Sequence, residues 1–441
     1  MELKIRNINK IKEANIQLNG LTILVGENDS GKSTIGRVLF SSIKALVNTK
    51  ANNEREKQLL FKHVQSLYRR LASTGFVRGV RVDDCIKSVF PCNTRDFIHT
   101  LEQEKEIIEQ YIKTLLSAVD ELETSPRMKS LMKSDLNRIK ICMAEKDNRA
   151  AGVYTEFQYL LESEFLNQFC ALNNVDVSID LIADDKLTSF FRYYTGVKGG
   201  SAQCEDEEYL EDVTYVESPL YMHLLDSLMY AGEYREVDKR RRSLFPMIPY
   251  HIKDFVAKMN SLSSNFGQPD LFHEDIVDTA EITGGMFSYD STKKTIVFVK
   301  DGLTVMPLNT ASGIKSFGVL QLLLDGGFID NNRPLIWDEP ENHLHPEWQV
   351  EFAKILVQLY KSGIPIIITT HSPYFIQAIR FFAAKENAEN YVTYYMAKPD
   401  DNGLVTMEDV TDDLNQVFKK LSTPLSRIMN VDAVRQGIEI K

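Results

Sequence analysis

A glycine-rich stretch near the N-terminus restricts the possible folds more than any other feature of the chain. Residues 26–34 read Gly-Glu-Asn-Asp-Ser-Gly-Lys-Ser-Thr and fit the spacing G-x-x-x-x-G-K-[S/T] of a phosphate-binding loop. The mainly apolar run 21–25 before them is typical of a buried strand, and we expect a helix from Gly31 to about Val47. A strand, loop and helix in this order place successive backbone N–H groups where they can bind phosphate oxygens.

The residue types in this loop suit the phosphates of ATP and a magnesium ion. Lys32 would neutralise the β- and γ-phosphates, and the hydroxyl of Ser33 would ligate Mg²⁺. A short pattern can match by chance in a chain of 441 residues, but the strand before it makes this match specific. The candidate nucleotide-binding residues of the loop are Gly26, Glu27, Asn28, Asp29, Ser30, Gly31, Lys32, Ser33 and Thr34.

Two acidic residues follow a second apolar strand far along the chain. Residues 334–340 read Pro-Leu-Ile-Trp-Asp-Glu-Pro, which predicts a strand that ends at Asp338 and Glu339. Asp338 suits a magnesium ligand, and Glu339 could orient or deprotonate the attacking water. Taken alone, such a pair would be interpreted as a surface feature at a strand end, but the phosphate-binding loop favours the catalytic interpretation.

A third apolar strand, 364–370, ends at His371. A single histidine is usually a structural residue whose hydrogen bonds are satisfied. In α/β sheets, however, ligand-binding groups collect at the carboxyl ends of parallel strands. We therefore expect His371 to contact the γ-phosphate.

Together the three motifs resemble the ABC-type ATPase heads of the SMC, RecF and OLD group. The resemblance rests on G-E-N-D-S-G-K-S-T, on D-E-P-E-N-H-L-H-P at 338–346 and on T-T-H-S-P at 369–373. It covers about 1–45 and 275–400 and leaves 50–270 unexplained. It implies an α/β fold in which a mixed sheet is flanked by helices and interrupted by a discontinuous helical insertion.

The domain organisation follows from where these motifs lie. Residues 1–50 and 271–441 are expected to form the ATPase head, and 51–270 a mainly helical insertion that also contributes some strands to the head. Within it, apolar residues recur at steps of three and four between 97 and 139, which predicts a helical hairpin around 94–170, turning at Ser125-Pro126. An exposed loop is expected at 198–212, and strands are expected at 213–217, 280–289 and 294–299.

The resemblance also implies a signature motif that binds the γ-phosphate of a nucleotide held by a second subunit. The candidate segment 308–316 reads Leu-Asn-Thr-Ala-Ser-Gly-Ile-Lys-Ser and departs from L-S-G-G-E-K-S, since Ala311 stands where the serine belongs. It is similar to the S-S-G variant of OLD-like proteins. Ser312 and Gly313 are the candidate residues, and they imply a homodimer or higher homo-oligomer joined through ATP.

Charge and cysteine content limit the other classes of protein. The net charge of −11 disfavours general nucleic-acid binding, and the only concentrated positive charge is Lys239–Arg242. That run is either a solvated loop or a contact to phosphate.

The five cysteines have no C-x-x-C spacing, so a zinc site or disulfide framework is not expected. With no apolar run long enough to span a bilayer, we expect a cytoplasmic protein without membrane contact.

These observations favour one function, because of the acidic net charge, and leave a second open as the alternative. The first is an ATP-dependent switch that controls a separate effector, a nuclease or toxin, since the chain resembles ATPase subunits of bacterial anti-phage systems. The second is a DNA repair or recombination ATPase of the RecF kind, which would need a basic surface stripe. A one-chain OLD nuclease is not expected, because 70 residues after His371 are too few for a Toprim domain.

Overall fold

The computed structural model describes residues 1–423 apart from 75, 78–79, 82–88, 92, 104–106, 146–148, 167, 170–175, 184–188, 197–198, 205–209, 226, 229–247, 266–278, 291 and 293–294. The strands are β1 (Glu2–Ile8), β2 (Ile11–Gln17), β3 (Leu21–Val25), β4 (Phe76–Val77), β5 (Val80–Arg81), β6 (Val177–Ile182), β7 (Ser189–Gly196), β8 (Gly199–Cys204), β9 (Thr214–Val216), β10 (Met286–Asp290), β11 (Thr295–Lys300), β12 (Leu303–Val305), β13 (Leu335–Asp338), β14 (Ile366–Thr370), β15 (Val392–Pro399) and β16 (Val405–Asp409). The α-helices are α1 (Lys32–Ser73), α2 (Thr94–Gln103), α3 (Ile108–Asp120), α4 (Pro126–Glu145), α5 (Arg149–Phe165), α6 (Tyr250–Asn265), α7 (Thr279–Thr283), α8 (Ser312–Asp325), α9 (Pro346–Lys361) and α10 (Pro373–Lys385).

An eleven-stranded mixed sheet, in the order β8-β7-β6-β1-β2-β16-β15-β3-β14-β13-β9, organises most of the chain. Five adjacent strands, from β15 to β9, run parallel to one another. The carboxyl ends of these strands therefore meet at one edge of the sheet, which is where an α/β fold collects its ligand-binding residues.

The parallel strands are buried on both faces because helices cover each side of the sheet. In β3, Leu21, Ile23 and Val25 pack into one apolar core, and Leu24 packs into the other. The first core contains apolar residues of α6, α8, α9 and α10, and the second contains residues of α1 and α5. Successive side chains of a strand point to opposite faces, so a strand buried on both sides must be apolar almost throughout. The predicted α/β fold, a mixed sheet flanked by helices, is confirmed.

Contacts divide the chain into two compact units, 1–47 with 153–441 and 48–152. The first unit contains the large sheet and the three-stranded sheet β10-β11-β12. The second has an apolar core of its own, which includes Val64, Phe97 and Leu136. This unit is shorter than the expected insertion 51–270, because β6–β9 pair within the large sheet.

Four local predictions differ from the structure. Helix α1 continues to Ser73 instead of ending near Val47, because no glycine or proline interrupts 37–74. The expected hairpin 94–170 contains the helices α2, α3, α4 and α5.

The other two differences concern strands. The expected strand 280–289 begins as helix α7, and only its end is extended as β10. The expected loop 198–212 contains β8, whose pairing with β7 overrides the low strand propensity of Gly-Gly-Ser. The basic run 239–242 lies outside the described residues. None of the described helices is both long and apolar enough to cross a bilayer.

Candidate functional site

The phosphate-binding loop connects the end of β3 to the start of α1. Asp29 has a φ of 63° and Gly31 a φ of 83°, both in the left-handed region. Aspartate tolerates this conformation, as the replacement of the usual glycine at this position requires. At Gly31 the backbone angle favours glycine, and a Cβ atom would lie 2.5 Å from Cδ1 of Ile11, so that side chain would have to shift to accommodate it.

Lys32 is the buried cation of the loop, with 4% of its side chain exposed. Its Nζ donates to the carbonyl oxygens of Gly26 and Glu27, each at 2.9 Å. Burial lowers the pKa of Lys32, and the nearby carboxylates of Glu339 and Asp338 oppose that shift. These contacts fix the ammonium group at the base of the loop, as expected for a group that binds nucleotide phosphates.

The two acids lie at the end of β13, next to β14 in the sheet. A carboxylate oxygen of Asp338 accepts a hydrogen bond from the hydroxyl of Thr369, which is its partner in the parallel register. Glu339 has a φ of 48°, and its N–H donates to the carbonyl of Thr369 at 3.1 Å. Its carboxylate accepts from Asn342 at 2.9 Å and lies 3.9 Å from Nζ of Lys32.

His371 follows β14 and lies beside Glu339. Its Nδ1 is 3.1 Å from Oε1 of Glu339, and 41% of its side chain is exposed. The backbone of this segment is held by Glu341, whose Oε1 accepts from the Thr370 hydroxyl at 2.5 Å and from the His371 N–H at 3.2 Å. Burial raises the pKa of Glu341. Sequence reasoning missed this residue, although the signal was its place as the second glutamate of D-E-P-E.

A pocket of about 340 Å³ opens over the loop. It is lined by Asn9, Lys10, Asn28, Asp29, Ser30, Gly31, Lys32, Ser33, Thr34, Asp338 and Glu339. The structure therefore brings together most of the loop residues and both acids. Gly26 and Glu27 bind Lys32 through their carbonyls, and His371 contacts Glu339.

The hydroxyl of Ser33 and the carboxylates of Asp338 and Glu339 are hard oxygen donors, a set that fits Mg²⁺. Asn9 and Lys10 were missed.

The signature candidates lie at the N-terminus of α8. Ser312 is half-buried and is the first residue of the helix, and Gly313 packs against the indole ring of Trp348. A Cβ atom on Gly313 would lie 3.0 Å from that ring and 3.2 Å from the carbonyl oxygen of His343. Neither residue lines the pocket over the phosphate-binding loop.

A buried polar network lies at the end of β9, the strand beside β13. Glu217 binds Arg37 of α1 at 2.6 Å and His251 of α6 at 3.0 Å, and it accepts from the hydroxyl of Tyr221. His251 also lies 2.6 Å from a carboxylate oxygen of Glu164. Burial opposes ionisation of Glu217, but its partners lower its pKa to about 2. Burial likewise opposes protonation of His251, yet the two carboxylates raise its pKa. The network ties the helix after the phosphate-binding loop to the strand next to the acids.

The strand order, the phosphate-binding loop and the two acids at the end of β13 define an α/β fold of the P-loop class. The family model described as AAA ATPase domain matches residues 1–376, and the chain belongs to that family. The expected membership of the AAA-family ATPases is thereby confirmed. No curated protein sequence matches the chain.

Among solved structures the chain is similar to several SMC heads. One is an SMC head bound to the C-winged helix domain of ScpA, at 12% identity over 92% of this chain and 97% of that one, with a TM-score of 0.37. Another is the SMC head domain from Thermotoga maritima, at 12% identity over 93% and 98%, with a TM-score of 0.36. A third, derived from Pyrococcus furiosus, is an SMC head with an extended coiled coil bound to the C-terminal domain of ScpA, at 11% identity over 96% and 99%, with a TM-score of 0.38.

Proposed function

We propose that the chain binds ATP with Mg²⁺, hydrolyses it slowly and acts as a dimeric switch that controls a separate effector protein in anti-phage defence. The observation that carries the ATPase part is the convergence of Lys32, Glu339 and His371. The carboxylate of Glu339 lies 3.9 Å from Nζ of Lys32 and 3.1 Å from Nδ1 of His371, beside the phosphate-binding loop. A phosphate-binding lysine and a residue that positions the attacking water recur in P-loop enzymes that transfer phosphoryl groups to water.

Each residue of this set has a distinct role in the proposed reaction. Lys32 and the loop N–H groups neutralise charge on the phosphates, and Glu339 orients the water and accepts its proton. His371 holds the carboxylate of Glu339 and reaches toward the γ-phosphate. Mg²⁺ bound by Ser33 and Asp338 would neutralise charge on the β- and γ-phosphates.

Two variants test the hydrolysis. We expect Lys32→Ala to abolish ATP binding, because the phosphates then lose their buried counter-charge. Glu339→Gln should retain binding and lower turnover by about 10²–10⁴-fold, the usual contribution of a general base. Glu347→Gln, an exposed glutamate in the same segment, is the control. Unchanged turnover in Glu339→Gln would contradict the role of Glu339.

The dimeric part rests on Ser312 and Gly313. Neither lines the pocket of its own chain, and Ser312 is half-buried at the start of α8, so we infer that Ser312 contacts a nucleotide held by a second copy while the buried Gly313 packs beside it. Turnover should therefore depend on protein concentration, and ATP should convert the Glu339→Gln variant into a closed dimer that sedimentation can detect.

The effector part rests on the unit 48–152. It is compact, has its own core and carries the exposed apolar side chains Phe61, Ile107 and Leu131, which a partner could cover. Its ends lie close together, since a Cβ atom on Gly152 would lie 3.3 Å from the methyl group of Thr49. Replacing 50–151 with a short glycine-serine linker should preserve ATPase activity and abolish phage protection. Protection by the shortened chain would overturn the proposal.

Direct binding of DNA is the second candidate, and one surface favours it. An open groove on the unit 48–152 is lined largely by hydrogen-bond donors: Lys129, Ser130, Lys133, Ser134, Asn137 and Arg138, together with Asp120 and Pro126. The carboxylate of Asp120 binds Lys133 and so offsets part of the positive charge, whereas Lys129 donates to the backbone carbonyl of Asp120. Salt-dependent binding of duplex DNA that is lost in Lys133→Glu would favour this candidate over the effector switch.

A further inference from the structure

The turn between β1 and β2 lies against the phosphate-binding loop. It consists of Asn9 and Lys10, closed by the pairing of Ile8 with Ile11. The turn is anchored on its other side by a hydrogen bond from the N–H of Val405 to the carbonyl of Lys10, at 2.7 Å. Because Gly31 lacks a side chain, Ile11 can approach the loop closely. The packing of the hairpin on the loop therefore fixes the backbone of Lys10, while its side chain can still change direction.

The side chain of Lys10 reaches the loop at Asp29. Its ammonium group contacts the Asp29 carboxylate and lies 3.5 Å from the Asp29 carbonyl oxygen. Both side chains are solvent-accessible, with 44% of Lys10 and 80% of Asp29 exposed. An ion pair at this exposure contributes little to stability, about 0–1 kcal/mol, and a stronger anion can displace it.

The charged residues that line the pocket indicate which cation can bind a nucleotide. Among the described residues that line it, the cations are Lys10 and Lys32 and the anions are Asp29, Asp338 and Glu339. Lys32 already donates to two carbonyl oxygens and is buried. Lys10 is the cation of the lining that can move toward a ligand, because its one strong partner is an exposed carboxylate.

We propose that Lys10 is a nucleotide-binding residue that leaves Asp29 and binds the phosphate oxygens when a nucleoside di- or triphosphate enters the pocket. This inference rests on the proposed binding of ATP and adds a second cation to it. Asp29 acts as the competing anion that holds Lys10 at the edge of the pocket in the absence of nucleotide. The exchange replaces one ion pair by a charge-assisted contact to a group of higher charge.

Affinities for ATP, ADP and AMP, measured by titration calorimetry on the full chain, test the role of Lys10. Lys10→Met keeps the length of the side chain and removes its charge, and we expect about a tenfold loss of affinity for ATP. The loss should be smaller for AMP, since fewer phosphate charges are present. Lys10→Arg should retain most of the affinity. Lys12→Met is the matched control, because Lys12 lies two residues further along the hairpin and pairs with Asp400 at 3.4 Å.

Asp29→Asn separates ligand binding from a purely structural role. Asparagine tolerates the left-handed backbone at this position, so the loop keeps its shape. If Lys10 binds phosphate, removing its competitor should raise the affinity for ATP. If Lys10 only holds the loop through Asp29, Asp29→Asn should weaken ATP binding as much as Lys10→Met does, and that result would overturn the inference. Equal affinities of the wild type and Lys10→Met for ATP would also overturn the inference. If the wild type does not bind ATP at all, the proposed function itself is wrong.

Discussion

The half-buried carboxylate of Glu217 offers a quantitative test of what stabilises the part of the sheet next to the phosphate-binding loop. Its partners Arg37, Tyr221 and His251 come from three different segments, and 27% of its side chain is exposed. These contacts lower its pKa from an ordinary value of 4.5 to about 2. At about 1.4 kcal/mol for each pKa unit, the folded protein stabilises the ionised form by about 3 kcal/mol.

Replacing Glu217 with glutamine should therefore lower the free energy of unfolding by about 3 kcal/mol at pH 7. Loss of one partner of a buried ion pair costs about 3–5 kcal/mol, which agrees in size. Glu211→Gln is the matched control, because Glu211 binds Arg333 at the same distance of 2.6 Å but is 52% exposed. That exposed pair should contribute below about 1 kcal/mol.

The assay is urea unfolding followed by tryptophan fluorescence. The chain has two tryptophans, Trp337 and Trp348, and both lie in the unit that contains Glu217. The signal therefore reports on this unit and not on 48–152. Equal losses for Glu217→Gln and Glu211→Gln would refute the reasoning, because the difference in burial would then have no energetic consequence.

The pH dependence has a defined sign on both sides of neutrality. The pKa of Glu217 is lowered on folding, so its contribution is complete above pH 4.5 and is lost as the pH falls toward about 2. The pKa of His251 is raised from 6.5, so its contribution is complete below pH 6.5 and is lost as the pH rises through the folded value. The difference between wild type and Glu217→Gln should therefore be largest between pH 4.5 and 6.5.

Two further predictions concern the nucleotide site. Gly31→Ala should weaken ATP binding and lower the melting temperature, because its φ of 83° disfavours a side chain and the new Cβ would lie 2.5 Å from Ile11. Gly403→Ala is the control, since Gly403 has a φ of 78° but no atom within 4 Å of the new Cβ. Its melting temperature should fall only by the amount that the unfavourable backbone angle causes. If Ser312 acts on the nucleotide held by a second copy, mixing the inactive variants Lys32→Ala and Ser312→Arg should restore part of the ATPase activity. The mixed dimer would combine the intact Lys32 of one chain with the intact Ser312 of the other, and no recovery on mixing would contradict action between subunits.

The motif residues could be predicted because each follows an apolar strand. Asp338, Thr370 and the loop after Val25 lie at the carboxyl ends of strands that the sequence pattern indicates are buried. Parallel pairing then brings those ends to one edge, whatever the rest of the chain does. The apolar pattern within each strand, together with the polar residues that follow it, was enough to predict both the fold class and the candidate site.

Lys10, Glu341 and Glu217 could not be found in the same way, because their roles depend on which elements become neighbours. Lys10 is an ordinary residue of a two-residue turn, and it lines the pocket only because the β1–β2 hairpin packs on Gly31. Glu217 follows a strand of three residues, β9, and no sequence pattern predicts that this strand lies beside β13. A local motif specifies the groups that touch a ligand, whereas the groups that hold those residues in place are specified by tertiary pairing.

The same distinction explains why the boundary of the helical unit could not be predicted. Helix α1 runs without a break from Lys32 to Ser73, yet the chain passes from one compact unit to the other near residue 47. Up to Val47 the apolar residues of α1 pack into a core shared with the sheet, and from Leu60 onward they pack into the separate core of 48–152. A helical periodicity predicts that both parts are helical, but it carries no information about which core each part joins. Because α1 begins at Lys32, the helix that follows the phosphate-binding loop is the same helix that enters the second unit. In the proposed function, this continuity is the physical basis on which ATP binding would act on an effector bound to 48–152.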